Sequence, residues 1–142
     1  MLQVKPIKGF NSFSLIFNAG KKFYDKDLTA VFVHSDAEEN NALIKNCNDD
    51  KTLYYGVTAG KKFIRKAVVR NRVKRLLRES IKKIFAERYI MLDKPPFKYA
   101  VFSWRKAPVH PALINLADVL PSLERVTKSA ELYFSSEAES EK

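Results

Sequence analysis

Between Ala67 and Ser80 the chain reads AVVRNRVKRLLRES, with five arginines and lysines, one acid, and valines and leucines at helical spacing. Cations at this density suit one chemistry above others, the binding of phosphate oxygens, because a planar guanidinium fork can hold two of them at once. Like charges on neighbouring helical turns repel and cost helix stability. The opposite charge is therefore expected from outside the chain. The run begins before the helix: Lys61 to Arg78 holds nine basic residues and no acid, which accounts for most of the formal net charge of +10. Within it, Asn71 carries an amide that both donates and accepts, suited to a base edge, a phosphate or a hydrated metal ion.

The other chemistry-bearing residues are scattered. Asp25 with Asp27, and Asp49 with Asp50, fall in turn or loop segments where solvation accounts for them, and they form no convincing two-metal carboxylate cluster. His34 ends an apolar run and His110 stands between prolines, so neither has a partner for acid–base work. Cys47, in NCNDDK, is the single cysteine, which excludes an intramolecular disulfide and a cysteine metal cluster. The reading is of a binding protein with no catalytic residues of its own. With 142 residues, 46% of them hydrophobic, and a pI near 9.7, the chain is expected to fold as one packed domain with a polyanionic partner. No apolar stretch is long enough to cross a bilayer and the N-terminus does not read as a signal peptide, so a cytoplasmic location is expected.

The elements that must position the cations follow from periodicity. FNSFSLIFNAG reads as a short helix, capped by Asn11 or Ser12 and ended by Gly20, with Phe10, Phe13, Ile16 and Phe17 on one face. Lys21 to Tyr24 reads as a short partner strand to Leu28–His34, with the polar DKD turn between them. Thr52–Ala59 and Tyr99–Trp104 read as further strands, and Gly56 permits a bulge or a close approach. The basic helix is predicted from about Ala67 to about Glu87, ending before the paired prolines of DKPPFK. A last helix is predicted to run to about Tyr133, with Pro121 in its first turn. Residues 1–134 are read as a single domain, with 35–51 as an insertion and 135–142 as an acidic, frayed tail.

On a helical wheel, Val69, Val73, Leu76, Leu77, Ser80 and Ile84 share a stripe, while Asn71, Lys74, Arg75, Arg78 and Lys82 lie opposite, with Arg70 and Arg72 on the margins. The helix is thus amphipathic, with its apolar side on a core and its cationic side outward. Arg70 can run its stem along that core, which gives it a structural role as well. Phe13 and Phe17 suit either the core or the stacking of unpaired bases. Tyr54 and Tyr55 alternate, one to each face of their strand.

GVTAGKK, FIRKA and VVRNRVKRLLRES, preceded by FNSFSLIFNAG and followed by YAVFSWRKAP, resemble in order and spacing the bacterial ribonuclease P protein subunit. The resemblance spans roughly Ile7 to Pro108. It implies an α+β fold, an α-β-β-β-α-β-α two-layer sandwich of the ribosomal-protein-S5-domain-2 type with a left-handed β-α-β crossover. It implies a partner RNA that carries the active site and its Mg2+, and a protein that assists endonucleolytic removal of the 5′ leader from precursor tRNA. Carried over by position, Phe13 and Phe17 line a leader cleft. Lys61, Lys62, Arg65 and Lys66 form the loop before the basic helix, and Arg70, Asn71, Arg72, Lys74, Arg75 and Arg78 form its RNA-facing side. No metal ligand is assigned: Lys98 and Tyr99 stand where the family often has an acid before the last strand.

The main rival is a structural protein that binds ribosomal RNA, whose charge and fold look alike. A metal-dependent nuclease acting unaided needs acids this sequence does not cluster. A helix-turn-helix DNA binder needs a short helix before the basic one, where the sequence has strands. A membrane-surface role conflicts with an apolar stripe committed to the core.

Overall fold

A computed structural model gives the fold over residues 3–7, 12–34, 52–89, 91, 96–106 and 114–140. Among them run β1 (Gln3–Pro6), α1 (Ser12–Ala19), β2 (Lys21–Asp25), β3 (Leu28–His34), β4 (Thr52–Thr58), α2 (Ala67–Tyr89), β5 (Phe97–Trp104) and α3 (Leu116–Ser140). The expected insertion at 35–51, with Cys47, Asp49 and Asp50, lies outside the described residues, as do Phe10, Asn11 and His110.

The strands form one mixed sheet in the order β1-β4-β5-β3-β2. β4 pairs in parallel with both β1 and β5, and β3 pairs antiparallel with β5 and β2. Two parallel neighbours cannot be joined by a tight turn, so the chain between β4 and β5 must cross over the sheet, and α2 is that crossover. The β2–β3 hairpin closes through the two-residue turn Lys26–Asp27, and Lys26 has a φ of 52°. At the other edge β1 extends the sheet, and Ile7 N–H continues its ladder by donating to Tyr55 O at 2.8 Å. β1 adds a strand to the expected order.

Side-chain alternation gives the sheet two apolar faces. Leu28, Ala30, Phe32, Leu53, Tyr55, Ala100 and Phe102 pack under α2 and α3. Val31, Val33, Tyr54, Tyr99 and Val101 pack under Ile16 of α1. A register shift at Val33/His34 leaves two β5 steps, Phe97 to Tyr99, against one in β3. The extra residue is Lys98, as in a β-bulge. It turns Phe97 to the same face as Phe102, where its ring lies 4.6 Å from that of Phe32.

α2 buries the predicted stripe and also Ile81, Phe85 and Tyr89. Its C-terminal end meets α3 through Glu131, whose carboxylate accepts from Arg88 Nε at 3.0 Å and from the Tyr89 hydroxyl. Burial and that carboxylate push the Tyr89 phenol well above its ordinary value. α3 begins earlier than expected because Asn115 caps it: Oδ1 accepts from Ala117 N–H at 3.0 Å, while Asp118 Oδ2 accepts from Asn115 N–H at 2.9 Å. This reciprocal cap satisfies donors that would otherwise be orphaned. Pro121 therefore lies in the second turn rather than the first, where it forfeits one helical hydrogen bond. α3 also continues to Ser140, so the backbone of 135–140, expected to fray, is helical.

Candidate nucleic-acid interface

The cations sort into two groups by where their charge is held. Lys61, Lys62, Arg65 and Lys66, in the loop before α2, are exposed, as are Asn71, Arg75 and Arg78 on the helix, while Lys74 is half-buried. Among the described residues Arg75 pairs with Glu79, at 3.3 Å with both side chains well exposed. A pair this open contributes about 0–1 kcal/mol and exchanges readily for another anion. No carboxylate pairs with Lys61, Lys62, Arg65, Lys66, Lys74 or Arg78 among the described residues.

Arg70 and Arg72 are half-buried and turned to backbone carbonyls. Arg70 Nη1 donates to Ile64 O at 3.0 Å and to Arg65 O at 2.7 Å. Arg72 donates from Nε and Nη2 to Ile114 O, at 3.2 and 3.0 Å. The first pair folds the basic loop back onto α2, and the second ties α2 to the start of α3. The structure thus separates these two from the outward-facing cations with which the family pattern groups them and gives them positioning roles. The loop they steady is also anchored from within. Ile64 is buried, and its N–H and that of Phe63 both donate to Gly60 O, at 2.9 and 3.1 Å.

Beside this loop the opposite face of the sheet opens into a cleft of about 310 Å³. Its floor follows from register. Tyr24 pairs with Thr29, Thr29 with Ser103, and Ser103 with Thr58, so four hydroxyl-bearing side chains lie in one row across β2, β3, β5 and β4. All four line the cleft, and Thr58 and Ser103 share a hydrogen bond. Phe17 forms part of one wall and Phe63 part of another. Arg105 bridges the site: its guanidinium lies 5.0 Å from the Phe63 ring centre, Nη1 is 3.4 Å from Thr29 Oγ1, and its N–H donates to Asp27 O at 2.9 Å.

Helix length explains why the cleft is open. Eight residues of α1 span about 12 Å, whereas a seven-residue strand spans about 23 Å, so α1 covers only part of its face. Phe13 and Phe17, treated together from sequence, now differ. Phe13 sits on Gly56, where a Cβ would come within 2.7 Å of its Cζ, so the glycine is what admits the ring. Phe17 lines the cleft. Sequence reading missed Lys22, Tyr24, Thr29, Thr58, Ser103 and Arg105. The available signal was a small hydroxyl near one end of each of the apolar strands β3, β4 and β5, but the row exists only once register is known.

Among the described residues no three of His, Cys, Asp and Glu gather as a metal site, and no helix is long and apolar enough to cross a membrane. Asp25, one of the acids considered above, is held instead by Arg125, which donates from Nε and Nη2 at 2.8 Å each and keeps the carboxyl below its usual range.

A mixed sheet crossed by a long helix with an open cationic side, beside a cleft walled by aromatic rings, defines a small basic α+β protein. The family follows from comparison: the ribonuclease P family model matches residues 2–106, and the chain belongs to that family. The ribonuclease P protein of Staphylococcus aureus has the same fold. One structure is 22% identical with a TM-score of 0.57, covering 88% of this chain and 94% of that one. A second is also 22% identical, with a TM-score of 0.55 and coverage of 89% and 88%. A mutant of the same protein, described as defective in mRNA degradation activity, is 21% identical with a TM-score of 0.57, covering 89% and 87%. No curated protein matches the sequence.

Proposed function

We propose that the chain assists a catalytic ribonuclease P RNA in endonucleolytic removal of the 5′ leader from precursor tRNA. The observation that carries this reading is the adjacency of two unlike surfaces: an aromatic-walled cleft and, beginning at the cleft's own rim, a run of largely exposed cations of which, among the described residues, Arg75 alone pairs with a carboxylate. Flat rings accept unstacked bases in a sequence-tolerant way. Exposed cations hold backbone phosphates and fix where the strand lies. Leader bases would enter the cleft against Phe17, and Lys61, Lys62, Arg65 and Lys66 would carry the strand toward α2, where Asn71, Lys74, Arg75 and Arg78 meet folded RNA.

Cleaving a phosphodiester calls for an activated water and a stabilised leaving oxygen, which in this reading are supplied by magnesium held mainly by the RNA. The protein contributes affinity and position. Its cations lessen the repulsion between crowded phosphates, so the complex works at lower magnesium. The expected partners are the ribonuclease P RNA and precursor tRNA, and the expected location is the cytoplasm.

The deciding experiment adds the purified protein to a ribonuclease P RNA at low magnesium and follows leader removal. Acceleration that depends on Phe17 and on the loop lysines supports the proposal. Tight binding to RNA with no effect on cleavage favours the ribosomal-RNA-binding alternative. If about four phosphates are engaged, affinity for leader-bearing substrate falls with salt at a log–log slope of about −3.

A further inference from the structure

β2 forms one wall of the cleft, and it lies at the edge of the sheet. It pairs with β3 alone, whereas β3, β4 and β5 each have a strand on both sides. An edge strand leaves one row of backbone groups unpaired, and segments held this way open locally before the sheet interior does. Its side chains alternate: Lys22 and Tyr24 line the cleft, while Lys21, Phe23 and Asp25 turn to the face under α3. Tyr24 is 66% exposed, and among the described residues no hydrogen bond or ring contact holds its side chain. Where this part of the wall stands is therefore set by the β2 backbone.

α3 holds that backbone from the opposite face, near both ends of the strand. Near the start, Lys21 Nζ lies 5.1 Å from the centre of the Tyr133 ring, and Phe23 meets the same ring edge-on at 5.9 Å. At the end, Asp25 Oδ1 accepts from Arg125 Nε and Oδ2 from Nη2, at 2.8 Å each. Nη2 also lies 3.4 Å from the hydroxyl of Ser122, which is buried in α3. Two parallel bonds fix the direction of the carboxylate as well as its distance. The Asp25 side chain is 19% exposed and that of Arg125 47%, against 49% and 72% in the open Arg75–Glu79 pair, so this carboxylate is the better sheltered from competing water. Asp25 directly precedes the Lys26–Asp27 turn. Beyond the turn, Asp27 O already accepts from Arg105 N–H, so Arg125 supplies the tie on the β2 side of the hairpin.

We propose that Arg125 is a positioning residue for the cleft: through Asp25 it fixes the edge strand so that Tyr24 and Lys22 stand as the cleft wall. Arg125 lines neither the cleft nor the cationic side of α2. It acts from a helix 100 residues further along the chain, outside residues 2–106 that match the family model. The clamp also accounts for an acid beside a site for a polyanion, where an unpaired carboxylate would repel the ligand. Its influence is confined to the edge, because strands paired on both sides do not depend on such a tie. This inference rests on the reading of the cleft as the leader site and adds a determinant that lies outside it.

The test reconstitutes the protein with a ribonuclease P RNA and measures the preference for precursor tRNA over leaderless tRNA, per folded molecule, with urea unfolding of each variant alongside. Arg125→Gln removes a positive charge and Asp25→Asn a negative one, so a purely electrostatic influence moves the preference in opposite directions. A clamp moves it one way: each variant should lose about threefold or more of the preference. The double variant should lose no more than the larger single loss, because the same contact is broken in all three. The salt slope of the preference should stay as in wild type, since no phosphate contact is removed. Shifts of opposite sign, additive losses, a flattened slope, or an unchanged preference at any stability would overturn the clamp and leave the cleft reading in place. A wild-type protein that binds leader-bearing substrate no better than leaderless tRNA would overturn the cleft reading itself, and the role of Arg125 with it.

Discussion

On the face of the sheet under α2 and α3, Ala30, Phe32, Ala100 and Phe102 are fully buried, and Phe32 meets Phe102 edge-on at 5.5 Å. On the other face the same strands bury Val31, Tyr99 and Val101 beneath α1, then run on as Thr29, Ser103 and Thr58 into an open cleft. The strands are shared, so the contrast lies in what covers them. Helices of 23 and 25 residues span about 35 and 38 Å and close one face, whereas the eight residues of α1 leave part of the other exposed. One layer is closed and the other keeps an open cleft, so if the cleft binds the leader as proposed, substitutions on the two faces should be separable in their effects.

The largest effect tests the closed face. Phe102→Ala deletes a fully buried ring that contacts Phe32 and Phe85. It should cost about 3–5 kcal/mol of stability, read from urea unfolding. Leader affinity per folded molecule should remain near wild type. A fall in that affinity would mean the two faces are mechanically coupled, and the division of labour would be wrong.

The reciprocal test is Phe17→Ala on the open face. Phe17 is half-buried and lines the cleft, so its loss should weaken leader binding by about 1–3 kcal/mol if a base stacks there. Stability should fall by less than for Phe102→Ala. A large stability loss with unchanged affinity would make Phe17 part of the core, like Phe13, which is locked onto Gly56.

Sealing of the closed face extends to the α2–α3 junction, where pH gives a further test. The neutral Tyr89 phenol, buried and bonded to Glu131 beside Arg88, has its pKa raised in the folded chain. Its contribution is complete below the ordinary phenol value of about 10 and is lost as pH rises beyond it, at up to about 1.4 kcal/mol per pH unit. Tyr89→Phe should show a shallower alkaline loss than wild type in denaturant titrations between about pH 10 and 11. Equal slopes would show that the junction opens to water.

How much of this was legible beforehand differs between the faces for a physical reason. The α2 stripe from Val69 to Ile84 follows from a 3.6-residue period, a local property, and its outer cations follow from the same wheel. The wheel stopped short of Ile81, Phe85 and Tyr89 because α2 is covered by α3 as well as by the sheet, which widens its buried arc. The marginal positions of Arg70 and Arg72 were visible, but the carbonyls that hold them belong to a loop and to a residue 42 positions away. β1 has no local signature: QVKP becomes a strand by pairing with β4, almost 50 residues on. The cleft floor is the extreme case, since Tyr24, Thr29, Ser103 and Thr58 become neighbours only through the registers of three strand pairs.

The smallest effect concerns an imperfection in the closed layer. Thr127 on α3 is fully buried, and its hydroxyl has no hydrogen-bond partner among the described residues. A buried donor without a partner costs about 1–3 kcal/mol relative to water. Valine has nearly the same shape and the same branching at Cβ, so Thr127→Val keeps the packing and the helical χ1 restriction while removing the desolvated hydroxyl. The variant should be more stable by about 1 kcal/mol in urea unfolding, with leader affinity and its salt dependence unchanged. Destabilisation would mean that the hydroxyl has found a partner, which places water or a polar group inside the closed layer. The contrast between the faces would then be one of degree, set by how much water each admits rather than by which of them is closed.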